Sequence, residues 1–515
     1  MRKQTKLLAV LSASALLAIG ASMTSFAATG WVDEDGSWVY YDSDGDMVTD
    51  EWRKSGNNWY YLDEDGYMAT ESWVDSDYYV GEEGTMLKNA WVKASDDEDA
   101  ESDDPSENDE HWYYFKSTGK KATEDDGWMK INEQYYRFDS DGRMLDGWQE
   151  INNEVYYLGE EDDGARKTGW LYLNLNLDND DDEHFKHTED ISEDDDGWFW
   201  FSTNGKSYRG SEKKKINGKN YYFDENGMML SGWVYVGSDS NVRDDVDLYE
   251  QSVTIDDYVY CGTEDDGARK SGWVKLNGPE GLKRDSETKW YYFDGAPYNS
   301  LASANKTFYK GSDRTAASAA IYNKKISGKT YAFDYRGEMK SGLLPVYNDN
   351  GDLVASYYFG VSADGAMKTG KVSGVEEDDG SKYTYFFTES GSNKGKGITG
   401  EKDDYLYYLG KRQESDDDYR IVVVPTDLMS STASSSDADV AYKAYIVNTS
   451  GKIQDKAGKK YEVDNYSTEV TIYNGQIYAY DKDEAHKISG EAIVDMNNAT
   501  ADDYARFAPE EPDWP

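Results

Sequence analysis

A phrase of roughly 20 residues returns along this chain: Gly30-Trp31, Trp38-Val39-Tyr40-Tyr41, Asp44-Gly45, Met47, then Trp52, Trp59-Tyr60-Tyr61, Asp65-Gly66, Met68, then Trp73. Fifteen of the 16 tryptophans lie between Trp31 and Trp290. A unit this short cannot enclose a core, so its neighbours must stack on it to cover its apolar face. The 515 residues therefore read as one array built along an axis, rather than as several globular domains.

Aligned on the turn glycine, the repeats share a four-residue strand core: Trp38-Val39-Tyr40-Tyr41, Trp59-Tyr60-Tyr61-Leu62, Trp112-Tyr113-Tyr114-Phe115, Tyr135-Tyr136-Arg137-Phe138 and Trp198-Phe199-Trp200-Phe201. A strand alternates its side chains between two faces, so positions two and four share one face and positions one and three the other. Positions two and four stay apolar or aromatic throughout, as in Val39/Tyr41, Tyr60/Leu62, Tyr156/Leu158, Val259/Cys261 and Tyr331/Phe333, and are expected to form the core. Positions one and three are Trp/Tyr in the strongest repeats but Asn220/Tyr222 or Thr330/Ala332 elsewhere, so that face is not required for folding.

Turn signals follow each core: Asp44-Gly45, Asp65-Gly66, Asp141-Gly142, Asn204-Gly205, Asn226-Gly227. Gly, Asn and Asp accept the positive φ of tight hairpins, which predicts a hairpin turn there. The fold class is all-β: an elongated solenoid of stacked short β-hairpin repeats. Acid-rich insertions at 94–110, 178–196 and 238–257 read as solvated loops. The paired segments Glu161-Asp162-Asp163-Gly164-Ala165-Arg166-Lys167 and Glu264-Asp265-Asp266-Gly267-Ala268-Arg269-Lys270 point to duplication of a block of repeats. Past Trp290 the strand and turn persist in weakened form, with Leu343 and Lys371 where a tryptophan is expected.

Residues 1–27 have the pattern of a secretory leader: Arg2, Lys3 and Lys6, an apolar run from Leu7 to Ile19, and small residues Ser25 and Ala27 at a cleavage site. No later stretch is apolar enough for a membrane helix. Residues 28–295 form the Trp-rich array with its insertions, and 296–515 a degenerate Tyr-rich region acting as spacer or presented surface. The apolar fraction is 38% and the aromatic fraction 15%, so the core must be largely aromatic. One cysteine, Cys261, excludes an internal disulfide. A formal charge of −48 excludes nucleic acid and bare polyanions as partners and favours a cationic or neutral ligand.

Gly-Trp, then Trp-x-Tyr or Trp-Tyr-Tyr, then Gly-x-Met and Gly-Trp, resembles the choline-binding or cell-wall-binding repeats of bacterial wall hydrolases and surface proteins. Related glucan-binding and toxin C-terminal repeats share the form Ile216-Asn217-Gly218-Lys219-Asn220-Tyr221-Tyr222-Phe223-Asp224. The resemblance implies ligand cages between successive hairpins, made of aromatics from two repeats with a methionine. At matching positions the first cage would use Trp31, Trp38, Met47 and Tyr61, and the second Trp52, Trp59, Met68 and Tyr79. Others would lie around Trp128, Tyr135, Met144 and Tyr157, around Trp273, Trp290 and Tyr292, and on Trp112, Tyr114, Trp198 and Trp200. Arg137, Val155, Asn220 and Lys213 stand where the family has aromatics, so those repeats are expected to hold weak sites or none. A quaternary ammonium has no hydrogen to donate, so ring faces hold it at roughly 0.5–2 kcal/mol each. The same rings stack on sugars.

The run Asp42-Ser43-Asp44-Gly45-Asp46 invites a calcium reading, but Met47 follows where such a loop continues differently, and a turn accounts for it better. His184 and His187 fall in an acidic insertion and read as solvated, so no metal or cofactor is assigned. None of the four histidines stands beside a plausible nucleophile, and the wall hydrolases of this resemblance carry a separate catalytic domain. The expectation is a non-enzymatic, exported protein of the bacterial wall or cell surface, whose partner is choline-substituted teichoic acid or another wall glycan. The alternatives are a glucan- or peptidoglycan-binding adhesin, and a wall hydrolase with its active site in 296–515.

Overall fold

The computed structural model of the chain describes residues 29–95, 110–175, 196–210, 213–236, 258–278, 288–294, 307–309, 320–334, 337–347, 353–429 and 441–514. The leader, most of the three insertions, and His184 and His187 lie outside them. Among the described residues the regular structure is almost wholly antiparallel strand, mostly in two-stranded hairpins, with one short helix, Ala501–Arg506. It divides into two compact units, residues 1–171 with 200–207 and residues 172–199 with 208–515.

In the first unit Gly30–Glu34 pairs with Ser37–Tyr41, Glu51–Ser55 with Asn58–Leu62, Ser72–Val74 with Tyr78–Val80, and Ala90–Ser95 with Glu110–Phe115. Met129–Ile131 with Gln134–Tyr136 and Trp148–Ile151 with Glu154–Tyr157 complete the series. The turn joining each pair lies upstream of the strand core, not at the Asp-Gly signal after it. Asp35 and Gly36 have φ of 56° and 94°, and Asn152 and Asn153 55° and 63°, both central residues being left-handed as the twist of a two-residue hairpin requires.

The Asp-Gly signal builds a second turn. Asp42 Oδ1 accepts from the Asp44 and Asp46 N–H groups at 2.9 and 3.0 Å, and Asp63 Oδ1 from those of Asp65 and Tyr67 at 3.1 and 2.8 Å. These carboxylates brace backbone rather than converge on an ion. The chain then returns, so that Tyr41 bridges Met47, Leu62 bridges Met68, and Phe138 bridges Met144. Each repeat is therefore strand, strand and a single bridging residue.

Repeats join through that residue. Its N–H donates to the position-one carbonyl of the preceding repeat: Met68 to Trp38 at 2.7 Å, Met86 to Trp59 at 2.9 Å, Lys121 to Asp77, Met144 to Trp112 and Arg166 to Tyr135, each at 2.8 Å. Its side chain lies against the turn glycine of the following repeat. A Cβ on Gly84, at φ +66°, would come within 2.8 Å of Met68 Sδ and Cε, so only glycine fits there. Positions two and four fill the interior: Tyr60, Leu62, Tyr113, Phe115, Phe138 and Leu158 are buried.

The second unit repeats the device in Lys214–Ile216 with Lys219–Tyr221, Trp233–Tyr235 with Tyr258–Tyr260, and Gly272–Leu276 with Lys289–Phe293. Met367 still donates to the Thr330 carbonyl at 2.8 Å. Sheets then widen. Gly370–Glu376, Lys382–Phe387, Lys411–Arg412, Tyr405–Tyr408 and Gly400–Lys402 form a five-stranded sheet. Three-stranded sheets follow, over a core of Ile421, Val423, Ile446, Val470, Ile472, Ile477 and Val494. Beside the five-stranded sheet, Lys411 Nζ lies 3.0 Å from Glu377 and 2.5 Å from Glu510, with both Lys411 and Glu377 almost fully enclosed. Glu377 also accepts from Tyr385 and, at 3.0 Å, from the Asp513 N–H, which ties the C-terminal segment to the sheet. Burial and then the Glu377 hydrogen bond push the Tyr385 phenol well above its ordinary value.

Candidate aromatic binding sites between repeats

Hairpin register brings the first aromatics together. The tryptophan on the first strand of each hairpin lies directly across from position three of its own core: Trp31 from Tyr40, Trp52 from Tyr61, Trp73 from Tyr79, Trp91 from Tyr114 and Trp148 from Tyr157. Their ring centroids are 5.4, 5.2, 5.4, 5.0 and 5.3 Å apart, tilted or edge to face, as ring quadrupoles prefer.

The next repeat adds a third ring from position two. Tyr60 lies 5.3 Å from Trp31, Tyr78 5.6 Å from Trp52, Tyr113 4.7 Å from Trp73, Tyr136 5.0 Å from Trp91 and Tyr156 5.0 Å from Trp128. In the second unit Trp233 meets Tyr260 and Tyr291, and Trp273 meets Tyr292 and Tyr331. The tryptophans Trp31, Trp52, Trp73 and Trp91 are all half-buried, so each keeps part of its surface open beside two other rings. Face one-and-three of one repeat thus meets face two-and-four of the next, and the position-two tyrosine belongs to both core and site.

This grouping differs from the expected sets. Trp31 has Tyr60 as its inter-repeat partner, whereas Tyr61 sits across from Trp52. Trp52 has Tyr78, whereas Tyr79 pairs with Trp73, because the shortened third repeat loses three residues around its turn and keeps its register from the Val80–Met86 bridge. Trp128 meets Tyr156, whereas Tyr157 belongs with Trp148. Met144 packs on the buried Ala122, Ile131 and Phe138, which Trp91, Tyr114 and Tyr136 also cover. Met47 is exposed beside Gly66, and Met68 lies against Gly84 with its N–H on the Trp38 carbonyl. Outside the expected sets stand Tyr40, Tyr60, Tyr78, Trp73, Trp91, Trp148 and Trp233; the Gly-Trp signal marks Trp148 and Trp233 but not Trp73 and Trp91, which follow Ser72 and Ala90, and no pattern within a repeat reveals its neighbour's register.

Position-one rings flank these trios. Trp59 is across from Lys54, whose ammonium lies 6.0 Å from its ring centre. Trp112 stands 6.4 Å from Trp91, and its Nε1–H donates to Asp162 at 3.0 Å. That bond and the nearby Lys93 ammonium, 3.1 Å away, hold the Asp162 carboxyl below its ordinary value, leaving a carboxylate at the rim of an aromatic site. Trp198 packs against Tyr172 at 5.5 Å and accepts at its carbonyl from Met229, and Trp200 is half-buried. Trp290 lies 6.4 Å from Trp273. Tyr135 is exposed, with the Arg166 guanidinium 4.3 Å from its ring centre.

Cys261 takes position four of its core and is buried, which pushes its thiol up to about 12 and keeps it unreactive. Among the described residues no group of His, Cys, Asp and Glu is arranged to hold a metal ion, and no helix is long and apolar enough to cross a membrane.

Residues 28–73, 126–170 and 196–243 match one choline-binding repeat, residues 67–96 match another, and residues 107–121 match the putative cell wall binding repeat. The chain is 25% identical over 305 residues to glucosyltransferase-I of Streptococcus downei, an overlap of 55% of this chain and 17% of that enzyme. The modular autolysin LytC of Streptococcus pneumoniae is 20% identical over 61% of this chain and 53% of its own, with a TM-score of 0.34. Choline binding protein F of Streptococcus pneumoniae is 19% identical over 61% of this chain and 93% of its own, with a TM-score of 0.33. The chain thus spans 17% of the glucosyltransferase and about half of the autolysin. Residues 28–96, 107–121, 126–170 and 196–243 are thus a series of stretches similar in sequence to choline-binding or cell-wall-binding repeats.

Proposed function

We propose that the protein is exported and attaches non-covalently to choline-bearing polymers of a bacterial wall through a series of inter-repeat aromatic sites. The observation that carries this reading is the recurring trio of Trp, position-three Tyr and next-repeat position-two Tyr, half-open and surrounded by acid. Two or three ring contacts of about 0.5–2 kcal/mol place one site near the millimolar range, about −4 kcal/mol. Several such sites on one chain, meeting a polymer with many cholines, raise overall affinity by a factor of about 10²–10⁴ without any single site becoming tight. The strongly negative chain draws cationic headgroups and repels bare polyphosphate.

The test is titration of the full chain with choline chloride, followed by tryptophan fluorescence, beside retention on choline-bearing walls and elution by free choline. Saturable quenching in the millimolar range and elution by choline support the reading. No response at tens of millimolar overturns it. The likeness to a glucosyltransferase favours a second reading, binding of a neutral glucan by the same rings, and elution by glucan oligomers but not by choline selects it.

A further inference from the structure

The bridging residue, two places after the turn glycine, is Met in Gly66-Tyr67-Met68, Gly84-Thr85-Met86 and Gly142-Arg143-Met144, but Lys in Gly119-Lys120-Lys121 and Arg in Gly164-Ala165-Arg166. Its backbone is held identically in all five, on the position-one carbonyl of the preceding repeat. The side chain is therefore delivered to the same place each time, beside that repeat's aromatic site. Met144 packs against the buried Ala122, Ile131 and Phe138, a cluster that Trp91, Tyr114 and Tyr136 also cover. Where the residue is cationic, its charge goes onto the rings. The Arg166 guanidinium carbon lies 4.3 Å from the centre of Tyr135 and 5.0 Å from that of Trp128, and Lys121 Nζ lies 5.3 Å from that of Trp73.

Arg166 differs from the other cations near these rings. Arg53 and Lys120 each lie over one ring, Tyr40 and Tyr78, and each is held in an ion pair, with Glu51 and Asp77. Arg166 lies over two rings, and its buried Nε has no hydrogen-bond partner among the described residues. Its stem rests against Gly205, where any Cβ would collide with it. A guanidinium facing two π surfaces, with its stem wedged in place and its Nε left to no acceptor, is in the setting a cage offers to a ligand ammonium.

We propose that the residue two places after the turn glycine decides whether the preceding aromatic site can take an external cation: methionine leaves it open, whereas Arg166 at Trp128/Tyr135, and Lys121 at Trp73, fill it from within. The proposal deepens the choline reading and rests on it for the identity of the excluded ligand. The chain thereby counts its own sites, and two positions that look like cages act as internal joints. Arg269 occupies the equivalent place in the duplicated segment, with its N–H on the Asn220 carbonyl at 2.8 Å.

The experiment is calorimetric titration of the full chain and of Arg166→Met, Arg166→Lys and Met86→Arg with choline chloride. Arg166→Met installs the array's ordinary residue and is expected to gain one site over the wild type, Arg166→Lys to gain none, and Met86→Arg to lose one. An unchanged site number in Arg166→Met overturns the proposal. Arginine-selective ¹⁵N spectra separate this outcome from failure of the choline reading. If the wild type binds no choline, the choline reading falls, and an Arg166 Nε–H signal shifted upfield by the rings, and released in Trp128→Ala, still supports internal occupancy. An unshifted signal overturns it.

Discussion

Hairpins of residues 30–157 and sheets of residues 370–495 are made from the same antiparallel pairing yet cover their apolar surface in different ways. A two-stranded hairpin has no interior, and in the array stability comes from rings of one repeat lying on rings of the next, as Trp91 lies on Tyr136 and Phe138. Large rings at a joint leave some of their faces uncovered, and those faces are the candidate sites. The later three-stranded sheets close over Ile421, Val423, Ile446 and Val470, branched aliphatics joined by Tyr461 and Phe507, and the five-stranded sheet buries Tyr385 and Phe387. The five-stranded sheet also encloses a polar group, Glu377 with Lys411 and Tyr385, with Glu510 at its rim. Narrow hairpins thus depend on their neighbours for cover, whereas the wider sheets supply more of it themselves.

The comparison breaks most visibly at that cluster. Glu377→Ala removes one partner of an enclosed ion pair and is expected to cost about 3–5 kcal/mol, read as a lower urea midpoint with the C-terminal segment released to proteolysis. A loss under about 1 kcal/mol in the same assay shows that Glu510 alone suffices and that the cluster does not close the sheet. In the array, Gly84→Ala forces a Cβ at φ +66° onto Met68 and is expected to cost about 2–3 kcal/mol. Hydrogen exchange should localise this damage to the second and third hairpins, because stacked repeats depend on nearest neighbours. Uniform loss of protection across the chain means that the array melts as one body.

Smaller effects sharpen the contrast. Cys261, with its thiol raised from 9.0 to about 12 by burial, stays neutral when folded while the unfolded thiol ionises. Its contribution is complete below pH 9 and declines as pH rises from 9 towards 12, by about 1 kcal/mol in the first pH unit. Alkylation by iodoacetamide should be slow in the folded chain at pH 8.5 and fast in urea, and Cys261→Val should flatten the alkaline slope; an unchanged slope places its cause elsewhere. Asp63→Ala removes the acceptor for two turn N–H groups and is expected to cost about 1 kcal/mol, seen as a fall of a few degrees in the melting of its hairpin.

Much of this was legible because it is local. Strand alternation placed Tyr60, Leu62, Tyr113, Phe115 and Phe138 on one face, and the structure buries them all. The turn was misplaced by half a repeat because Asp35-Gly36 and Asp44-Gly45 carry the same chemistry, and only pairing partners tell which one reverses a hairpin. The cages were regrouped for a related reason. Trp31 could be read as a site residue, but whether Tyr60 or Tyr61 joins it depends on how the second repeat sits on the first. That is set by the Met68 N–H on the Trp38 carbonyl, a bond between residues 30 positions apart.

What the amino-acid order determined by itself is the repeat, its all-β character, its aromatic interior and the tryptophans on offer, all of which follow from period-two alternation and from the residues that tolerate positive φ. What only the tertiary structure decided is which rings meet between repeats and which rings Arg166 lies over. Those outcomes depend on stacking register between repeats, and a shift of one residue there exchanges the face presented, so no property of a single repeat contains the answer.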